Sequence, residues 1–404
     1  MIVQGFSYLN GKNVLLLQGP VGPFFRRLAH DLKRAGARVH KVNFNGGDWF
    51  FSPCGASNFR GHKDAWPAYF EGLLGSRKID TVMLFGDCRE LHQIAHSIAL
   101  QQGVDICVFE EGYIRPDYIT FERHGVNNHS LIPRDAAFYL AHPAAHEIRP
   151  LYVGNTYWYA VRCAALYYFA AGILQPWFKH YEHHRPLNWA EFGPWLRSMG
   201  RKQYYRYSER ALTQQFCGES VPSFFLVPLQ VYNDAQVHVH SDFDSVTQFI
   251  IEVTASFAAA APPDTLLVIK HHPMDRGYHD YSQLIAARIA QLGLQNRCFY
   301  IHDQHLPTLL QRARGVVVIN STVGLSALHH GTPLKVCGNA IYDMPGLTFQ
   351  GDLDDFWQAA ERAQPDTLLL NNFLHYLVAH TQLNGSFYKK LAKVGTATGL
   401  RWMV

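Results

Sequence analysis

Close cysteine pairs are missing from this 404-residue chain. Its seven cysteines, at positions 54, 88, 107, 163, 217, 298 and 337, form no CxxC or other short ligand spacing. That argues against a disulfide framework or a structural zinc, and for a reduced, cytoplasmic protein. Charge is scarce too: Asp, Glu, Lys and Arg make up 17% of residues, with a formal net charge of +4 and no dense basic run. Nucleic acid is therefore not an expected partner, whereas an anionic nucleotide or lipid surface is compatible. The turn Gly19-Pro20-Val21-Gly22 is neither a P-loop nor GxGxxG, which leaves ATPase and dinucleotide readings unsupported. Met1 to Asn13 has no basic start followed by an apolar run, so no signal peptide is expected. Internal repeats and low-complexity tracts are also lacking.

What the chain does have is apolar residues, 48% of the total, and a length that favours two domains. Short buried-strand runs at 13–18, 39–44, 81–85 and 105–109 alternate with helical spacing at 24–35 and 90–102. A second series begins at 224–229 and continues at 266–269, 298–301, 316–319 and 334–336, with helices at 245–260, 282–292 and 306–312 between. This alternation predicts an α/β fold with parallel sheets, whose ligand edge lies at the carboxyl ends of the strands. The expected organisation is a first Rossmann-like domain over 1–150, an aromatic and basic insert over 151–220, a second Rossmann-like domain over 221–365, and a tail over 366–404. Within that tail, Asp366 to Lys393 reads as helix and is expected to cross back to the first domain.

The insert has two readings. Thr156 to Phe178 carries a single charge, Arg162, yet Gly172, Pro176 and the many aromatics favour a buried or interfacial helix over a membrane crossing. The following residues mix Trp189, Trp195, Tyr204 and Tyr205 with Lys202 and several arginines, which suits a lipid headgroup interface or a structural insert between domains.

Candidate chemistry in the second half begins with Lys270-His271-His272-Pro273 at a strand end. A later strand runs into Asn320-Ser321-Thr322-Val323-Gly324. An imidazole, hydroxyls and free N–H groups at a helix start together suit one phosphate. Separately, a His-Pro dipeptide is also an ordinary turn, and Ser321 an ordinary helix cap. Gln230-Val231-Tyr232-Asn233-Asp234 follows the first strand of this half. Asp234 there is either a nucleophile oriented by the Gln230 amide or a turn-forming aspartate.

In the first half, Glu110-Glu111-Gly112 puts two carboxylates at a strand end, fit for acid/base work or for a solvated turn. Arg115 is placed to hold a carboxylate, a ligand's or a neighbouring glutamate's. Gly19 and Gly22 let backbone approach a substrate. Asp87 and Arg89 are cleft residues, or Asp87 is a helix cap.

These stretches resemble the capsule polysaccharide biosynthesis family, in its KpsS/LipB type of bacterial β-Kdo transferase. The residues that carry the likeness are Leu17 to Phe25, Asn43 to Asp48, Gly86 to Arg89, Glu110 to Pro116, Pro228 to Val231 and the His-Pro and Ser-Thr motifs, reaching to about Pro345. The resemblance implies a GT-B fold, two Rossmann-like domains facing across a cleft. It implies transfer of the first Kdo from CMP-Kdo to lyso-phosphatidylglycerol in capsular linker synthesis, with retention and without a metal or other cofactor.

It further implies catalytic roles for Asp234 as nucleophile, Glu110 or Glu111 as base and His272 at the leaving phosphate. Donor contacts fall on Gln230, Lys270, His272, Pro273, Ser321, Thr322 and Arg115, and acceptor or cleft positions on Gly19, Gly22, Asp48, Asp87 and Arg89. The implied setting is the inner face of the cytoplasmic membrane, with an anionic membrane surface, a KpsC-type transferase and the capsule export complex as partners. One departure is that the motif set occurs once, whereas the KpsC type carries two catalytic modules. A sialyltransferase-like CMP-sugar enzyme and a non-catalytic assembly protein are the competing readings.

Overall fold

In the computed structural model, which describes residues 6–143, 149–182, 192–392 and 394–401, the chain divides into two compact units. The first comprises Met1–Ile132, Ala145–Asn188 and His375–Val404; the second comprises Pro133–Ala144 and Trp189–Leu374.

The first unit is built on a seven-stranded sheet. Its strands, numbered through the whole chain, are β1 (Asn13–Leu16), β2 (Arg38–Asn43), β3 (Ser57–Asn58), β4 (Thr81–Phe85), β5 (Asp105–Glu111), β6 (Tyr118–Arg123) and β12 (Gln382–Asn384). They lie in the order β12-β6-β5-β4-β1-β2-β3. Alternate residues of the apolar runs serve opposite faces, as the two-residue period of a strand requires. Val14 and Leu16 meet Phe24, Leu28 and Leu32 of the Phe24–Arg34 helix, whereas Leu15 and Leu17 meet Trp66 and Phe70 of the Trp66–Arg77 helix. Both faces are covered, so the strands read as continuous hydrophobic runs. Each buried Leu or Phe contributes on the order of 1.5–3 kcal/mol over its exposed state.

The second unit holds an all-parallel sheet of β7 (Phe224–Pro228), β8 (Leu266–Lys270), β9 (Cys298–Ile301), β10 (Gly315–Val318) and β11 (Leu334–Val336), ordered β11-β10-β7-β8-β9. The Val246–Ala260 helix starts where the Ser245 hydroxyl accepts the Gln248 N–H at 3.2 Å, and it buries Phe249, Ile250, Val253 and Phe257. That face packs with Phe225, Val227 and Trp357.

Three features differ from the sequence expectations. The segment read as one 151–220 insert is divided: the Tyr157–Ile173 helix belongs to the first unit, and the Phe192–Ser208 and Arg210–Cys217 helices belong to the second. Trp189, counted in that segment, lies outside the described residues, as do Met1 to Gly5 of the expected leaderless start. The helix read over Asp366 to Lys393 spans only Thr367–Thr381. The chain then becomes β12, which pairs antiparallel with β6, while Lys393 lies outside the described residues. Finally, β6 pairs antiparallel with β5, so the first sheet is not wholly parallel. Among the described residues, no helix is long and apolar enough to cross a membrane.

Candidate active site

Strand order decides what meets at the carboxyl edge of the second sheet. β7 lies between β8 and β10, so the loop carrying Gln230 and Asp234 is flanked by the His272-Pro273 turn and the Ser321-Thr322 turn. The histidine and hydroxyl motifs are therefore separated by one strand. Two strand spacings amount to about 9.5 Å.

The central loop is laced to both neighbours. The Gln230 side-chain amide donates to Asn320 Oδ1 at 3.0 Å and to Asp234 Oδ2 at 3.2 Å, and the Asn320 N–H donates to Gln230 Oε1 at 3.3 Å. Asn320 Nδ2 donates to the carbonyls of Gln236 and His240. On the other side, Asp275 Oδ2 accepts the Tyr232 N–H at 2.7 Å. Asp234 is half-buried, and its Oδ1 accepts the Gln236 N–H at 3.0 Å as the cap of the short Ala235–Val239 helix. Two donors thus orient the carboxylate, which still has lone-pair capacity for a further contact.

His272 is partly exposed, and its Nδ1 accepts the Met274 N–H at 3.2 Å. That bond leaves Nε2 as the ring's proton-bearing nitrogen in the neutral form. Pro273 is exposed at the same turn. The preceding residues turn inward. Lys270 is buried with Nζ on the His302 carbonyl at 2.9 Å, and burial pushes its ammonium down to about 8. His271 is buried with Nδ1 at 2.6 Å from the Tyr300 hydroxyl; burial, and next the nearby His302, hold it neutral with a pKa of about 3. The Lys270 side chain, expected at the donor, is thus spent on the scaffold. Ser321 Oγ accepts the Val323 N–H at 3.2 Å, and Thr322 occupies the cap position of the Val323–His329 helix without a side-chain cap bond.

In the first unit, β5, β4, β1 and β2 are consecutive parallel neighbours, which aligns Glu110-Glu111, Asp87-Arg89, Gly19-Gly22 and Asp48 along one sheet edge. Glu110 is pushed up to about 7, chiefly by burial, with the charges of Glu111 and Asp87 adding; the Glu111 N–H at 2.9 Å and Arg89 oppose the rise. Glu111 is also raised by burial and is countered by Arg115. Arg115 is exposed and folds back to donate from Nε to the Gly112 carbonyl at 3.0 Å.

Other expected cleft residues have structural duties. Asp87 does not cap a helix; its Oδ2 accepts the Val126 N–H and pairs with His129 Nδ1, each at 3.1 Å. These bonds and the His129 charge outweigh burial and keep the carboxylate below its usual range. Asp48 is buried, accepting from Phe44 N–H at 3.0 Å, Gln18 Nε2 at 3.2 Å and the Tyr167 hydroxyl at 2.9 Å. Arg89 Nη1 donates to Gln18 Oε1 at 2.8 Å, so it is joined to the same network. Gly19 packs over the Phe25 ring, and Gly22 adopts φ +123°, a conformation that favours glycine.

Over residues 80–388 the chain matches the family described as capsule polysaccharide biosynthesis protein. It belongs to that family. Among curated proteins it is similar to the Escherichia coli capsule polysaccharide export protein KpsS, with 41% identity over 94% of this chain and 98% of the relative. It is equally similar, at 41%, to the capsule polysaccharide modification protein LipB of Neisseria meningitidis serogroup B, over 95% of this chain and 93% of that one. Among solved structures, the Thermosulfurimonas dismutans KpsC β-Kdo 2,7 transferase aligns over 92% of each chain at 14% identity, with a TM-score of 0.46. The family member described here has two α/β units, one on a mostly parallel seven-stranded sheet and one on an all-parallel five-stranded sheet.

Several residues that shape the site carry no motif of their own. Asn320 was visible in sequence only as the residue before Ser321, yet it locks the central loop. Gln382 reaches from β12 to accept the Tyr113 N–H at 3.0 Å, just beyond the acidic pair. The buried Glu122, pushed up to about 7 by burial, accepts the Tyr113 hydroxyl at 2.7 Å. The Asn320 and Gln382 contacts bridge 90 and 269 positions, which local pattern does not record.

Proposed function

We propose that this protein is a retaining β-Kdo transferase that moves one Kdo from CMP-Kdo to lyso-phosphatidylglycerol, on the inner face of the cytoplasmic membrane. The observation that carries the reading is the Asp234 carboxylate, oriented by Gln230 on a loop flanked by the His272 and Ser321-Thr322 turns.

Attack of an Asp234 oxygen on the anomeric carbon forms a glycosyl ester and breaks the bond to phosphate, whose oxygen leaves with the electron pair. His272 Nε2–H and the Ser321 and Thr322 hydroxyls are the donors assigned to that departing charge, in place of a metal. An acceptor hydroxyl then displaces the carboxylate, its proton passing to Glu110 or Glu111. Glu110, with a pKa of about 7, is matched to that task near neutrality. Two inversions give net retention.

Incubation of the purified chain with CMP-Kdo and lyso-phosphatidylglycerol, followed by mass spectrometry, tests the reading. One added Kdo and released CMP are expected, undiminished by a chelator. Absence of product with CMP-Kdo but turnover of CMP-sialate would transfer the assignment to another CMP-sugar enzyme.

A further inference from the structure

The Tyr157–Ile173 helix is apolar apart from one charge, Arg162, yet it buries only one side. Tyr167, Ala170 and Ala171 are buried. On that side, a Cβ added to Gly46 would fall 2.5 Å from Leu174 and one added to Gly47 2.6 Å from the Tyr167 ring, so the helix sits directly against backbone. The Tyr167 hydroxyl is fixed by Asp48, Asn45 and Gln18. Helical periodicity turns Trp158, Arg162, Leu166, Phe169 and Ile173 to the opposite side. There Trp158 is 73% exposed, Phe169 67% and Ile173 60%, and Trp177 just beyond is 59% exposed. An apolar stripe about 25 Å long is thus presented by a helix that its own unit holds rigidly.

The segment that carries this stripe has charges of one sign, with Glu90 and Glu182 lying beyond it near Arg60 and Phe178. From Thr156 to His180 there is no carboxylate, and the cations Arg162 and Lys179 are exposed. The exposed Arg60 guanidinium lies 4.9 Å from the centre of the Trp177 ring. The acid beneath the helix, Asp48, is buried and saturated with donors. Aromatic side chains at the stripe's ends with cations beside them are complementary to acyl chains bordered by anionic headgroups.

We propose that the outward face of the Tyr157–Ile173 helix, extended by Trp177, is an interfacial anchor that lies in the surface of an anionic phospholipid bilayer. The helix lies in the interface and does not cross it, since no described helix is long and apolar enough to span. The inference deepens the lipid-acceptor reading and rests on it only for which lipid is presented; the surface itself is independent of the sugar chemistry.

Cosedimentation of the full chain with phosphatidylcholine vesicles containing phosphatidylglycerol, without sugar donor, tests it. The wild type should bind, and W158S/F169S/I173S should bind at least about tenfold more weakly at unchanged melting temperature. R162E/K179E should lose most of the preference for phosphatidylglycerol. The proposal is overturned if the wild type fails to bind or the triple variant binds undiminished. It is equally overturned if the wild type is a dimer that the triple variant dissociates, since a second copy would then cover the face. Loss of binding in W195S/M199S, with W158S/F169S/I173S unaffected, would move the contact to the second unit. On a short-chain acceptor dissolved as monomers, the triple variant should turn over normally. Vesicle binding without turnover on any acceptor would sink the transferase reading and leave the anchor standing, whereas turnover without binding would do the reverse.

Discussion

Gln230 and Asn320 hold one another reciprocally: the glutamine amide donates to Asn320 Oδ1 at 3.0 Å and its carbonyl oxygen accepts the Asn320 N–H at 3.3 Å. The ends of β7 and β10 are thereby fixed in register, and with them the carboxylate of Asp234 and the hydroxyls of Ser321 and Thr322. Replacing Asn320 by alanine would also remove one of the two hydrogen bonds accepted by each of the Gln236 and His240 carbonyls. Asn320→Ala is expected to cost about 2–4 kcal/mol by denaturant unfolding and to lower kcat more than it raises KM, because the misplaced group acts in the transition state.

Asp234→Asn keeps the shape and the helix cap but removes the nucleophile, so transfer should be abolished while CMP-Kdo affinity is largely kept. Trapping followed by peptide mapping should find the sugar on the peptide that contains Asp234. An adduct on Glu110 or Glu111 would falsify the assignment.

His272→Ala should weaken CMP binding and slow transfer roughly a hundredfold, the scale of one lost transition-state donor. Calorimetry with CMP and single-turnover rates measure the two effects separately. Unchanged values in a folded variant would reduce the His-Pro turn to scaffold.

If Glu110 is the base, only its ionised form works, and its pKa of about 7 makes the rate rise with pH through that value and level off above it. Arg89 pulls this pKa down, so Arg89→Gln should move the limb to higher pH. A pH–rate profile whose limb stays in place would remove Glu110 from the proton transfer.

Gly47 lies where a methyl group would fall 2.6 Å from the Tyr167 ring. Gly47→Ala should destabilise the first unit by about 1–3 kcal/mol through overpacking. Hydrogen exchange should show faster opening of the Tyr157–Ile173 helix, with the second unit's sheet unchanged.

How much of this was legible in the sequence follows from the range of each interaction. The strand at 81–85 matches its apolar run because both faces of a covered sheet demand the same residues, whereas those at 298–301 and 334–336 match although, at the sheet's edges, Phe299, Tyr300 and Lys335 are only half-buried. The Gln-Val-x-x-Asp, His-Pro and Ser-Thr stretches were legible because they sit at strand ends, where parallel topology gathers ligand chemistry. Lys270 read as a donor contact from its place beside the His-Pro turn, but its ammonium is bound to the His302 carbonyl, 32 positions away and invisible to local pattern. Asp48 read as a cleft residue because nothing nearby in sequence reveals Tyr167, 119 positions away. β12 was hidden in a helical pattern because three residues are too few to show a strand period.

The antiparallel pairing of β12 with β6 closes the first unit with residues drawn from the far end of the chain. During synthesis the ribosome delivers the whole contiguous block of 189–374 before that edge strand exists. The second unit has its sheet complete while the first still shows an unpaired β6 rim, with Tyr113 lacking its Gln382 acceptor. A chain truncated after residue 374 and released should therefore already resist protease over 189–374 and remain cleavable over 1–132.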